Sequence, residues 1–212
     1  MSYQDLILHL RKLVDDQKLR KMVSKRIREF ELLRESSWKE IFSELCFCML
    51  TANSSAEVCI RIQRELGPEG FLSLLEESLA RKLAELGHRY PRTRARYIVE
   101  ARKYAKDLKR VVLSLSEERA REWLVRNIKG IGMKEASHFL RNIGAKNLAI
   151  IDRHVLRALK EYKIIDSIPR SLTKSKYLEI EGILRKAARD LGITLAELDL
   201  YLWYSRTGKV LK

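Results

Sequence analysis

The chain has 212 residues, 46% of them apolar, so it can bury one large core or two small ones without disulfide staples. Three prolines, nine glycines and an abundance of Leu, Lys, Arg, Glu and Ala exclude collagen-like, β-rich and disordered classes and point to an all-α fold. The net charge of +15 disfavours basic partners and favours polyanions.

The N-terminus, Met-Ser-Tyr-Gln-Asp, begins no long apolar run, so neither signal peptide nor membrane span is expected. Helical stripes follow over 3–14 (Leu6, Ile7, Leu10) and about 18–34 (Leu19, Val23, Ile27, Phe30). Lys18 to Arg28 holds six Lys or Arg and no acid. Ser37 with Glu40 reads as a capping box opening a helix through Leu50. Cys46, Cys48 and Cys59 make an odd count, which argues against a disulfide framework and for a reducing, cytoplasmic setting. Thr51-Ala52-Asn53 breaks the helix, and Ser54 with Glu57 reads as a second capping box whose helix ends at Gly67-Pro68.

Short helices are expected over about 70–77 and 79–86, the latter closed by Gly87. Pro91 opens a long basic helix to about 109, with Ala95, Ile98, Val99, Ala101, Tyr104, Ala105 and Leu108 turned inward. His88 to Arg110 carries nine Lys or Arg against Glu100 and Asp107. Two such clusters suit a polyanion, most often nucleic acid; a solvated surface or adaptation to heat are the other readings. Ser116 caps a helix to Asn127.

Then comes Asn-Ile-Lys-Gly-Ile-Gly-Met-Lys-Glu-Ala, a tight link between two helical stripes. Glycine supplies the backbone freedom that so short a link needs. The amides of Gly130, Ile131 and Gly132 are expected to point outward at a helix N-terminus, where an anion such as a DNA phosphate is stabilised. Lys134 falls in the first turn of the second helix, where the dipole disfavours added positive charge. An ordinary lysine is neutral in roughly one molecule in 2,500 at pH 7, so a nucleophilic amine needs such help.

Asp152 stands before the stripe 153–161 and reads as its N-cap, a role compatible with that of a rigidly held catalytic carboxylate. A polar linker around 167–170 precedes a helix over 174–190, and Thr194 with Glu197 caps a last helix to about Ser205. Tyr90 and Trp203 are either core aromatics or stacking faces for a planar group. His9, His88, His138 and His154 show no metal-ligand spacing, and no metal is expected.

The Ile-x-Gly-Ile-Gly-x-Lys-x-Ala pattern with Ile-Asp-Arg-His downstream resembles the helix-hairpin-helix DNA glycosylases. More closely, the chain is similar to the archaeal-type 8-oxoguanine DNA glycosylase/AP lyases. The likeness takes in Leu-Thr-Ala-Asn, Arg-Ala-Arg-Tyr-Ile, the hairpin and the C-terminal Thr-Gly-Lys-Val-Leu-Lys, which is nearly the whole chain. One departure is Lys129, where the broader superfamily has proline; a lysine there adds a phosphate contact.

The resemblance implies a single glycosylase domain over 1–212, with two helical subdomains flanking a cleft. These are a central bundle about 36–130 with the hairpin about 117–143, and a second layer from 1–35 and 144–212. It implies Lys134 as nucleophile at C1′ of a flipped lesion nucleotide, Asp152 as its carboxylate, and a Schiff base that permits β-elimination. Asn53 would fill the gap left by the flipped base, Arg94 would face the opposite base, and Lys212 would recognise the oxidised base. The implied partner is double-stranded DNA containing oxidised guanine, bound by a monomer. No cofactor is required: no cysteine follows Cys59, which excludes the iron–sulfur cluster of some superfamily members. A monovalent cation on hairpin carbonyls around 127–132 is a further implication. A glycosylase/lyase for another lesion and a non-catalytic helix-hairpin-helix DNA-binding protein are the alternative readings.

Overall fold

The computed structural model describes residues 1–212 and is all-helical, with twelve α-helices, one 3-10 turn and no strand. The helices run α1 Tyr3–Asp15, α2 Gln17–Glu35, α3 Trp38–Thr51, α4 Ala56–Ser73, α5 Glu76–Glu85 and α6 Pro91–Ala101. After a 3-10 turn at Arg102–Tyr104 come α7 Ala105–Ser114, α8 Glu117–Asn127, α9 Met133–Asn142, α10 Arg153–Glu161, α11 Lys174–Leu191 and α12 Leu195–Thr207. They form two compact units, one from Glu31–Ile143 and one from Met1–Phe30 with Gly144–Lys212. No helix is long and apolar enough to cross a membrane.

The unit over Glu31–Ile143 is built around α3. Every residue from Ile41 to Thr51 is buried, as befits a helix apolar on nearly all faces. Helices α4, α6, α7 and α9 pack against it. Cys46, Cys48 and Cys59 lie in this core as free thiols. A buried polar junction crosses this core: Asn142 donates to Glu44 at 2.6 Å and Gln63 donates to the same carboxylate at 2.9 Å, tying α9 and α4 to α3. In the other unit α1, α10 and α11 pack on α12. Tyr3 donates to Asp190 at 2.7 Å, and Arg206 pairs with Glu161 at 2.7 Å.

Local signals placed most of the caps. Ser37 and Glu40, and likewise Thr194 and Glu197, form reciprocal capping boxes, and Ser116 accepts the Arg119 amide. Ser54 does not cap α4. Its amide is used in a turn to the Thr51 carbonyl, 3.3 Å away, and the helix starts one residue later behind Ser55. Gly67, at φ +59, breaks α4 where the sequence places its end, but a further helical turn continues to Ser73.

The long basic helix expected from Pro91 to about 109 is two helices. The break falls where the Arg102 guanidinium turns to the carbonyls of Phe71 and Leu74, at 2.8 and 2.6 Å, satisfying acceptors at the end of α4. Val99 and Tyr104 are half-buried rather than core; Tyr104 packs edge-on against Trp123, ring centroids 5.5 Å apart.

Candidate active site

The hairpin is α8, the link Ile128–Gly132, and α9. Only one of its glycines depends on being glycine for its conformation. Gly130 has φ +82, and a Cβ there would overlap the Tyr97 ring, 2.7 Å from Cε2. Gly132 has φ −99, open to any residue, and serves as the N-cap of α9. Ile131 is buried and anchors the link to the core.

The amides are less outward-facing than the sequence suggests. Ile131 N–H donates to the Ile128 carbonyl at 3.2 Å, closing the turn. Gly132 N–H donates to Glu135 Oε2 at 3.3 Å, so a carboxylate of the chain itself occupies the electropositive end of α9. Lys129 lies 3.3 Å from Glu100 and 5.7 Å over the Tyr97 ring. Tyr97 therefore braces the link from α6 and shares Lys129 with Glu100. We expect Gly130→Ala to cost about 2–4 kcal/mol, from left-handed backbone strain and ring overlap together. Gly132→Ala should cost under about 1 kcal/mol, since its Cβ would meet only a movable carboxylate oxygen at 3.2 Å. Denaturant unfolding of the two variants checks the difference.

Lys134 sits in the first turn of α9, its side chain 24% exposed and its ammonium 3.8 Å from Glu135 Oε1. The buried Cys59 thiol lies close enough to feel the Lys134 charge. Burial pushes that thiol up to about 11, while a Ser54 hydrogen bond and the charges of Lys134 and Arg94 pull the other way. It stays protonated at neutral pH and does not compete with an amine for an electrophile.

Asn53, exposed and at φ +61, forms the tip of the turn between α3 and α4. Arg94 is only 8% exposed, and its guanidinium donates through Nη2 to the Ala52 carbonyl at 2.8 Å, so it braces the Asn53 turn. His88 is a second brace that the sequence did not reveal. Its Nε2 is 2.9 Å from the Leu50 carbonyl, and its Nδ1 accepts the Tyr90 amide at 3.1 Å, which fixes the neutral tautomer with the proton on Nε2.

Burial, and secondarily the Arg94 charge, lower the His88 pKa from 6.5 against the Leu50 hydrogen bond. A depressed histidine contributes stability that is complete above the unfolded value of 6.5 and is lost as pH falls through the lower folded value. The thermal midpoint should therefore fall on acidification below 6.5. His88→Gln, which keeps a donor for Leu50 and cannot titrate, should remove that part of the fall in calorimetry. Tyr90 is 40% exposed at the N-cap of α6, with Arg89 5.3 Å over its ring, so it is no core aromatic.

In the other unit, Asp152 caps α10. Its Oδ1 accepts the amides of His154 and Val155 at 2.8 and 2.9 Å. Both bonds end on one oxygen, which pins the carboxylate and leaves Oδ2 for other work. Trp203 of α12 is half-buried and packs edge-on against His154 of α10, centroids 4.9 Å apart. Beyond Gly208 the tail is not frayed: Val210, Leu211 and Lys212 are each partly buried. No three His, Cys, Asp or Glu side chains converge as a metal site.

Tyr97, Glu100, Glu135 and His88 escaped the sequence reading. Glu135 carried a signal, being three residues past the N-cap, but a glycine cap hides the pattern.

Known proteins place this arrangement. The family model described as 8-oxoguanine DNA glycosylase matches residues 23–193. The 8-oxoguanine DNA glycosylase/AP lyase of Korarchaeum cryptofilum is 54% identical over 213 residues, covering all of both chains. That of Methanocaldococcus jannaschii is 57% identical over 195 residues, 92% of this chain and 93% of the relative. The crystal structure of the M. jannaschii enzyme in complex with a 15mer DNA containing 8-oxoguanine superposes with a TM-score of 0.94 at 54% identity, covering 98% of this chain and 99% of that one. The Helicobacter pylori 3-methyladenine DNA glycosylase, 19% identical with a TM-score of 0.54, shares the fold alone. A hairpin ending in Gly-Ile-Gly, a lysine in the next helical turn, a capping aspartate and full-length identity above half agree on one conclusion: this chain belongs to the 8-oxoguanine DNA glycosylase family.

Proposed function

We propose that this chain excises 8-oxoguanine from double-stranded DNA and cleaves the strand at the abasic site it leaves. The observation that carries the reading is Lys134 in the first helical turn after the Gly130 hairpin, within a chain that matches glycosylase/AP lyases end to end.

Excision requires the damaged nucleotide outside the base stack, because its glycosidic carbon is blocked within it. The Lys134 amine attacks C1′, forming an N–C bond as the C1′–N9 bond breaks. The electron pair leaves on the base, which takes up a proton. Asp152, held rigid by two amides on Oδ1, offsets the positive charge developing on the sugar and helps manage the lysine proton. Opening of the sugar ring gives a Schiff base. Loss of a C2′ proton then lets the C3′–O bond break, releasing the 3′ phosphate.

Gly130, Ile131, Gly132 and Lys129 form the backbone-holding hairpin, with Glu135 and Glu100 as the internal anions that a phosphate displaces. Asn53 supplies the wedge on a turn braced by Arg94 and His88. Lys212, Trp203 and Tyr90 read the base. One chain contains every residue the chemistry uses, so it acts as a monomer on DNA in the cytoplasm, and no step calls for a cofactor. A monovalent cation on the hairpin carbonyls would only strengthen the grip on phosphate.

The test is incubation with a duplex bearing one 8-oxoguanine, with and without borohydride, beside an undamaged duplex. Base release, strand cleavage and a covalent adduct confined to the damaged duplex are expected. Salt-dependent binding with neither adduct nor base release would leave only a DNA-binding protein.

A further inference from the structure

The two basic clusters of the sequence look alike in composition, and the structure separates them. Of the nine cations between His88 and Arg110, all but Arg92 and Lys106 have a partner within the chain. Arg94, Arg102 and Lys109 donate to backbone carbonyls. Arg110 pairs with Asp107, and Arg89, Arg96 and Lys103 lie over Tyr90, Tyr97 and Tyr104.

Helix α2 is the opposite case. Leu19, Val23 and Phe30 fix its inner face in the protein. On the outer face Lys18, Lys21, Lys25 and Arg28 are exposed, spaced three, four and three residues apart, which sets them in one line. None of the four has an ion-pair or hydrogen-bond partner; the cation in this stretch that does, Arg26, is turned aside to Glu29 at 2.6 Å. Like charges one turn apart destabilise a helix, so this stripe opposes stability, and the fold supplies nothing to relieve it.

Ten residues of helix span about 15 Å, and one strand of DNA carries a phosphate about every 3.4 Å of axis. The stripe is therefore long enough to reach a few successive phosphates of one strand, each within range of a long, flexible Lys or Arg side chain. We propose that the outer face of α2 is a second DNA-binding surface, separate from the hairpin, that tracks the phosphate backbone of duplex DNA irrespective of sequence or damage. The inference deepens the function proposed above, since it presumes that the chain works on duplex DNA. Its role is to hold the protein on undamaged duplex while lesions are sought.

The test is the salt dependence of binding to an undamaged duplex of about thirty base pairs, between about 50 and 200 mM salt. Each engaged phosphate contributes about 0.9 to the slope of log affinity against log salt. Joint substitution Lys18→Gln, Lys21→Gln, Lys25→Gln and Arg28→Gln should make that slope shallower by about two to four units. The pairs Lys18→Gln/Lys21→Gln and Lys25→Gln/Arg28→Gln should each take about half. A control with the same change in net charge, Lys39→Gln, Arg64→Gln, Lys82→Gln and Lys176→Gln, removes cations that already have acidic neighbours and should leave the slope in place.

The stripe variant should melt no lower than the parent, because only repulsion is removed. A slope unchanged in the stripe variant, or reduced as much in the control, overturns the proposal; the stripe would then belong to another acidic partner or to none. Borohydride trapping by the unaltered protein on the 8-oxoguanine duplex, read in parallel, reports on excision alone.

Discussion

Lys134→Gln should lose excision of 8-oxoguanine by on the order of a thousandfold or more, about 4 kcal/mol of transition-state stabilisation, together with all borohydride-trapped adduct. The reason is local. Glutamine keeps the length and polarity of the side chain but has no amine to form a Schiff base. Little else should change. The nearest acid to Lys134 is 3.8 Å away, at the outer limit of an ion pair, so little stability rests on its charge. Thermal midpoint and duplex affinity should therefore match the parent, so that loss of activity reports on chemistry. An adduct that survives the substitution would assign the nucleophile to another amine and remove the central element of the mechanism.

Asp152→Asn should lower excision by about a hundredfold to a thousandfold while leaving stability nearly intact. Asparagine caps a helix as well as aspartate does, and its amide oxygen can accept the same two amides of His154 and Val155. What it removes is the negative charge opposite a developing cation. Asp152→Ala removes cap and charge together and should add a stability loss of about 1–2 kcal/mol. The comparison separates two roles that one side chain carries. Full turnover by the asparagine variant alongside an unstable alanine variant would mean that Asp152 is only a cap.

The elements the sequence reveals are those whose physics is local. Ser37, Ser116, Asp152 and Thr194 cap their helices because an oxygen side chain just before an apolar stripe meets orphan amides two or three residues on. The hairpin, with Lys134 in its second helix, is read in the same way. What the sequence leaves hidden has a common form. Arg94 reads as a surface cation on a basic helix, yet its partner is the Ala52 carbonyl, forty-two positions away. The same holds for the break after Ala101, where Arg102 reaches Phe71 and Leu74. Gly130 and Gly132 are equivalent as letters, and only Tyr97 packing on the first makes it irreplaceable. Ser54 fails as a cap because it still belongs to the turn after α3, and Ser55 holds the N-cap position of α4.

By itself the sequence determined the helical class, most caps, the hairpin and the local settings of Lys134 and Asp152, because these rest on groups within about four residues of one another. Only the tertiary structure decided which of two similar basic clusters finds partners within the chain, which glycine is obligatory, and which side chains brace the Asn53 turn. The obligatory glycine and the braces of the Asn53 turn depend on pairs brought together through space from positions about thirty to forty apart, where composition and periodicity carry no information about the partner.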